Sequence, residues 1–283
     1  MAESKQESTG KGGGVDFATI LGIAVGIGAI VGGLLIEGGK LKDILQFTAA
    51  MIVGGGTAGA VMISTPYRVL TSALRRLKSV FFDSAPPLGV LMDEIIGYAT
   101  KARKSGLVSL EDVAYTIEDP FLQKALNLAV DGTDLQEIRK MLELEIALHE
   151  QQLDAEAKVF ETAGGYAPTI GIIGAVMGLI QVMKNLANID EVGHGIAVAF
   201  VATVYGVGSA NLMFLPLGSK IRARSRAEAH RRELIVEGVS GIVEGLNPKI
   251  VRGKLEPFVQ GPPAKNKRAG QSDRERNPAG VEA

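Results

Sequence analysis

Thr162-Ala-Gly-Gly-Tyr-Ala-Pro-Thr-Ile-Gly-Ile-Ile-Gly-Ala-Val-Met-Gly-Leu-Ile-Gln-Val-Met183 runs for 22 residues without a formal charge. Val192 to Ser219 adds 28 more, in which His194 is the only side chain that titrates near neutral pH. A helix that crosses a bilayer needs roughly 20 apolar residues, so the two stretches predict a hairpin of spans. They are not uniform anchors. Pro168 and Pro216 interrupt them near one end, glycines recur at 171, 174, 178, 206 and 208, and hydroxyls sit among the aliphatics at Thr169, Thr203, Tyr205 and Ser209.

Working outward, Phe17–Ile36 is an apolar run of 20 residues, too long for the hydrophobic part of a cleaved leader, and reads as a first span. Ile44–Tyr67 gives a second uncharged run of 24 after a short polar connection, so these two also form a hairpin. Four-residue spacings of small residues (Gly22 with Gly26, Gly28 with Gly32, Gly55 with Gly59) predict close backbone approach, because packing rather than hydrophobicity drives helix association in lipid. Gly54–Gly59 is no phosphate loop, since neither a preceding strand nor a following Lys-Ser/Thr is present.

Between the hairpins the chain turns polar. Arg68, Arg75, Arg76 and Lys78 follow the second span, and Lys220, Arg222, Arg224 and Arg226 follow the fourth, whereas the other two loops carry only Lys40, Lys42 and Lys184. The positive-inside rule then places both termini and the insert in the cytoplasm. The expected organisation is a flexible tail (1–14), a first hairpin (15–67), a helical insert (68–161), a second hairpin (162–219), a basic helix (220–247) anchored at the membrane surface, and a disordered tail (248–283). Within the insert, Ser109–Asp112 and Thr133–Gln136 have the form of capping boxes. The fold class is thus an all-α polytopic membrane protein, with four transmembrane helices in two hairpins and a helical insert between spans two and three.

Composition narrows the chemistry. Among 283 residues there are no cysteines and three scattered histidines, which removes thiolate nucleophiles, disulfides and the usual metal sites. A formal net charge of −1 gives no case for nucleic-acid binding. No catalytic residue, metal or cofactor is expected, and the protein does not read as an enzyme. Each proline removes a helical hydrogen bond, ordinarily a packing kink, but their shared placement favours a hinge. Thr203 is ordinarily a hydroxyl satisfied within its own helix. The more telling feature is an absence: none of the four apolar runs contains Asp, Glu, Lys or Arg. Since ion pathways through a membrane normally require an ionisable group, any carboxylate must come from a partner.

Three stretches carry a family resemblance: Ala163-Gly-Gly-Tyr-Ala-Pro-Thr-Ile-Gly-Ile-Ile-Gly-Ala-Val-Met-Gly-Leu179, Val198-Ala-Phe-Val-Ala-Thr-Val-Tyr-Gly206, and Ala102-Arg-Lys-Ser-Gly-Leu-Val-Ser-Leu-Glu111. In this order and topology the chain resembles, over residues 15–250, the MotA-type stator subunit of the bacterial flagellar motor, of one superfamily with ExbB and TolQ. The resemblance implies that Pro168 and Pro216 couple ion passage to torque, that Arg103 and Glu111 engage the rotor's switch-complex protein, and that Ala175 and Thr203 line the ion pathway. It also implies a MotB-type single-span, peptidoglycan-binding partner that supplies the essential Asp, a homo-oligomer of five chains around two partners, and a place in the bacterial inner membrane. Sodium-driven members carry Thr where this chain has Ala175, and an alanine methyl offers sodium no oxygen, so the expected ion is the proton. An ExbB- or TolQ-like energiser of envelope processes is the alternative, and the extra hairpin beginning at Phe17 weighs against it, since those relatives have three spans.

Overall fold

The computed structural model describes residues 14–83 and 86–260. It is helical nearly throughout: α1 (Phe17–Ile36), α2 (Leu41–Ile44), α3 (Phe47–Ser64), α4 (Tyr67–Phe81), α5 (Leu88–Ser105), α6 (Glu111–Ala114), α7 (Pro120–Val130), α8 (Leu135–Lys184), α9 (Ile189–Ser209), α10 (Leu215–Val243) and α11 (Pro248–Gln260). A 3-10 turn, Leu107–Leu110, precedes α6, and a π turn, Ala210–Phe214, joins α9 to α10. Among the described residues, Gly14–Val15 pairs antiparallel with Phe82–Asp83. Among the described residues, four stretches are long and apolar enough to cross a membrane: Phe17–Ile36, Leu41–Ser64, Leu135–Lys184 and Ile189–Val243. At 50 residues, α8 is about 75 Å long, more than twice the ~30 Å thickness of a bilayer's hydrocarbon. Its charged first half therefore projects out of the membrane.

The chain forms two compact units, one drawn from Met1–Pro86 and Leu144–Ala229, the other from Pro87–Glu143 and His230–Ala283. This division cuts across the insert read from the sequence. A border drawn where charge begins puts α4 and residues 144–161 with the insert, but α4 buries Ala73 and Val80 against Ala157, Phe160, Leu217 and Ile221, in one core with Val61 at the end of α3. Amphipathic packing, not polarity, assigns α4 to the unit that holds the spans.

In that first unit α1 is tied down at its start. Asp16 caps the helix by accepting from the Thr19 N–H at 3.2 Å and also takes Lys220 Nζ at 2.5 Å and Arg224 at 3.3 Å. The hydrogen bond from Lys220, followed by that from the Thr19 backbone, lowers its carboxyl pKa to about 2. A depressed carboxylate stabilises the fold above its unfolded pKa and ceases to do so as pH falls through the folded one. The Asp16 contribution is therefore full above pH ~4 and gone below pH ~2. Asp16→Asn is expected to lower the melting temperature of the purified protein at pH 8, with the difference from the parent protein closing as the pH falls from ~4 to ~2, so that the acid limb of the profile is flattened.

The second unit is built on Leu91 and Ile95 of α5, Leu122 and Leu126 of α7, Ile138 and Leu142 of α8, Leu234 and Ile235 of α10, and Leu255 of α11, all almost fully buried. The last helix corrects the expectation that 248–283 is disordered. Asn247 Oδ1 accepts from the Lys249 N–H at 3.0 Å, Pro248 stands at the first helical position, and Val251 and Leu255 are buried. A Cβ on Gly238 would lie 2.6 Å from Ile95, so α10 lies directly on α5. Arg139 and Lys254 both pair with Glu237, at 2.7 and 3.0 Å. Residues 261–283 and most of the expected N-terminal tail lie outside the described residues.

Candidate functional site

The centre of the first unit is a seam between α8 and α9 made by small residues. A Cβ on Gly171 would stand 2.9 Å from the Ala202 carbonyl, one on Gly178 2.7 Å from that of Gly195, and one on Gly206 2.6 Å from that of Ala167. No side chain fits at any of the three, so the two backbones touch. A Cβ on Gly174 would meet both Ala202, at 2.8 Å, and Ile52 of α3, at 3.3 Å, which brings the second span to the same point. The glycine pattern was visible in the sequence, but not which glycines matter: Gly208, and Gly22, Gly28, Gly32, Gly55 and Gly59 of the first hairpin, have open space where a Cβ would go. In that hairpin a Cβ on Gly26 would lie 3.0 Å from Leu212, and one on Gly56 2.7 Å from Ile170 of α8.

Ala175 and Thr203 flank this seam and both are half-buried. The Cβ position of Gly171 is 3.5 Å from the Thr203 Cα, and Ala175 follows Gly171 by one helical turn. The Thr203 hydroxyl donates to the Ala199 carbonyl at 3.1 Å, the in-helix bond ordinarily expected of a buried threonine. Away from the seam, α8 presents Ile172, Ile173, Val176, Met177 and Ile180 outward, and α9 presents Phe200, Val204 and Val207. The acids nearest this wall, Asp190 and Glu191, lie in the first turn of α9, where the helix dipole favours them, and Glu191 accepts from Asn185 at 2.8 Å. The wall itself is apolar and carries no charge.

Neither proline breaks its helix, contrary to the sequence reading. Pro168 is half-buried inside an unbroken α8, and Pro216 is exposed as the second residue of α10. The strain of Pro216 is met just before it: in the π turn the Leu215 N–H bonds back to the Ala210 carbonyl, five residues away, and this wider turn makes room for the proline ring. Pro168 leaves the Gly164 carbonyl without its helical donor, and a Cβ on that glycine would lie 2.7 Å from the Leu215 side chain.

Two features of this unit had no signal in the sequence. Tyr205 sends its hydroxyl to the break between α2 and α3, donating to the Ile44 carbonyl at 2.5 Å and accepting from the Gln46 N–H at 3.3 Å. Glu156 is the other, a carboxylate 1% exposed on α8. One oxygen accepts from the Ser72 hydroxyl and from Gln152 at 3.2 Å, the other from Arg76 at 2.9 Å. Burial works to raise its pKa, but the bonds from Ser72 and Arg76 outweigh it and hold the carboxyl below the usual glutamate value.

Arg103 and Glu111 lie in the second unit, at the junction of α5 with the 3-10 turn and α6. Gly106 makes this junction with φ +81, a left-handed conformation that glycine adopts without strain. Ser109 is not a cap here, because its hydroxyl donates back to the Gly106 carbonyl at 2.6 Å. Likewise the start of α8 is capped by Asp134, which accepts from the Gln136 N–H at 3.3 Å, rather than by Thr133. Leu110 and Ala114 are fully buried, while Arg103, Lys104, Glu111 and Asp112 all face solvent. The structure thus presents basic and acidic side chains on either side of one fixed turn.

Comparison with known proteins completes the description. The profile of the MotA/TolQ/ExbB proton channel family matches residues 113–234, and that of the Motility protein A N-terminal region matches residues 20–99. Motility protein A of Helicobacter pylori is 34% identical over 257 residues, 90% of this chain and 100% of the relative. The C. jejuni MotAB structure superposes with a TM-score of 0.82 at 34% identity, covering 86% of this chain and 95% of that one. The flagellar MotAB stator complex of Bacillus subtilis gives 0.78 at 33% identity, covering 83% and 93%.

Proposed function

Because the chain belongs to the MotA/TolQ/ExbB proton channel family, we propose that it works as the stator subunit of a bacterial flagellar motor, turning ion flow into torque together with a MotB-type partner. The observation that carries the mechanism is the wall of α8 and α9, which is apolar, closed by backbone contact at Gly171, Gly178 and Gly206, and free of acids. Such a wall cannot relay a proton by itself. The partner's single span supplies the Asp, and this chain supplies the surface against which that Asp changes charge.

As a carboxylate the Asp is costly against Ala175 and the half-satisfied Thr203, and protonation removes that cost. Each protonation therefore changes how tightly the partner's span sits on the wall. The change reaches the rotor through α8 and α10, which contribute residues to both units, with Pro168 and the π turn before Pro216 as the compliant points. Arg103 and Glu111 then meet oppositely charged groups of the rotor's switch-complex protein. A ring of five chains around two partners, set in the inner membrane with both termini in the cytoplasm, satisfies this arrangement. Lys220, Arg222 and Arg224 at the start of α10 support that orientation. An ExbB- or TolQ-like role is less favoured, because the N-terminal profile and the first hairpin extend beyond the spans of those relatives.

The proton is the ion proposed. Ala175 offers no side-chain oxygen, and the Thr203 hydroxyl, which keeps its oxygen lone pairs while donating to Ala199, is a single ligand where a sodium ion needs several. Swimming speed at fixed proton-motive force is expected to be the same with and without sodium. A stall in sodium-free buffer would overturn the proton assignment and leave the stator role standing.

A further inference from the structure

Rotor binding by Arg103 and Glu111 leaves an unexplained feature beside them. Val108 is 68% exposed and Tyr115 76% exposed. In a helical stretch residues three, four and seven apart share a face. Val108, Glu111, Asp112 and Tyr115 have that spacing from the 3-10 turn through α6 to the residue that caps its end, while Leu110 and Ala114 are fully buried. The outward face therefore reads apolar, acidic, acidic, apolar, with Arg103 and Lys104 across the Gly106 turn. Single exposed apolar residues are ordinary on any protein surface. A valine and a tyrosine bracketing two acids on a turn held by buried leucine and alanine and by the Ser109 bond to Gly106 form an organised patch. Interface anchors are enriched in tyrosine and arginine, and pairing between solvent-exposed charges contributes little by itself.

Building on the rotor-facing reading of Arg103 and Glu111, the geometry points to Val108 and Tyr115 as apolar anchors of the rotor contact. The surface they fit is a rotor helix that carries acids opposite Arg103 and Lys104, bases opposite Glu111 and Asp112, and an aliphatic strip between them. Charge complementarity sets the register and the approach, and burial of the tyrosine ring and valine methyls holds the contact under load. The two parts differ in one measurable respect: charge pairing weakens with ionic strength, whereas apolar burial does not.

The test uses the full stator complex, purified with its single-span partner, binding to the rotor switch-complex protein from roughly 0.05 to roughly 0.5 M salt. Val108→Ser with Tyr115→Ser is expected to weaken binding about tenfold across the range, leaving the salt dependence parallel to that of the unmodified complex. Arg103→Glu with Glu111→Lys is expected to weaken binding at low salt and flatten that dependence. Tyr115→Phe, which keeps the ring, is expected to bind as the unmodified protein does. Loss of binding on charge reversal but not in the serine variant would overturn the anchor role and leave the rotor-facing reading intact. No effect of either pair would overturn both. A serine variant that changes the mass of the complex in light scattering, while rotor binding is unchanged, would place the two residues between copies of this chain and equally overturn the proposal.

Discussion

Gly206→Val is expected to abolish swimming and prevent accumulation of the folded complex, while Gly208→Ala, two residues away, is expected to change neither. The two sites are indistinguishable by composition and differ only in what surrounds them. A Cβ at 206 would be 2.6 Å from the Ala167 carbonyl and 3.0 Å from the Gly171 Cα, both backbone atoms that cannot rotate away. At 208 the same Cβ meets open space. Overpacking a close-packed site typically costs about 1–3 kcal/mol, and more where the obstacle is main chain on both sides. Because α8 and α9 form the proposed wall, separating them also misplaces Ala175 and Thr203. The check is membrane abundance by immunoblot together with motility-plate diameter. A Gly206→Val protein that accumulates and swims normally would mean that the seam is not closed as described.

The second large effect is expected at Arg76. Its guanidinium, 32% exposed, answers a glutamate that is 1% exposed, and removing it leaves that buried charge with only the Ser72 and Gln152 hydrogen bonds, at a cost below the roughly 3–5 kcal/mol of breaking a fully buried pair. Arg76→Ala should therefore lower the melting temperature of the purified complex sharply, by more than Glu156→Gln, which keeps an acceptor for Ser72 and removes the charge. Joining Arg76→Ala to Glu156→Leu should recover much of the loss, because no buried charge then remains. The pH dependence carries a sign. Glu156 is held below its usual pKa, so its contribution is present above the unfolded value and lost as the pH falls below it. Without Arg76 the folded-state pKa of Glu156 moves up toward its unfolded value, so this contribution shrinks and the acid limb of the melting profile should flatten. Equal melting of Arg76→Ala and the parent protein would contradict this account of the cluster.

The four long apolar helices were legible in the sequence because they depend on a local quantity, the length of chain without charge. The turn bearing Arg103 and Glu111 was legible for a similar reason, since Gly106 needs no tertiary contact to adopt φ +81. What escaped depends on packing between distant segments. Glu156 stands in a charged stretch with Asp154, Lys158 and Glu161, and only the arrival of α4 eighty residues earlier in the chain, through Arg76, buries it. The last helix, α11, was hidden by its prolines: Pro248 reads as a breaker until Asn247 is seen to cap the turn before it, and the apolar spacing Val251, Leu255, Phe258 is short. The prolines of the spans misled in the same direction. Proline removes one hydrogen bond, but a helix held by close packing along its length, as α8 is at Gly171 and Gly178, continues through it.

The central claim is that this chain provides a wall and not a relay, and proton leak measured in cells addresses it directly. Expressed alone, the chain is expected to give no acidification of the cytoplasm when the outside pH is lowered. Coexpression with the single-span partner should produce a leak, and replacing the partner's membrane Asp with Asn should remove it without reducing the amount of either protein. Acidification by this chain alone, or a leak that persists when the partner's Asp is Asn, would contradict the account.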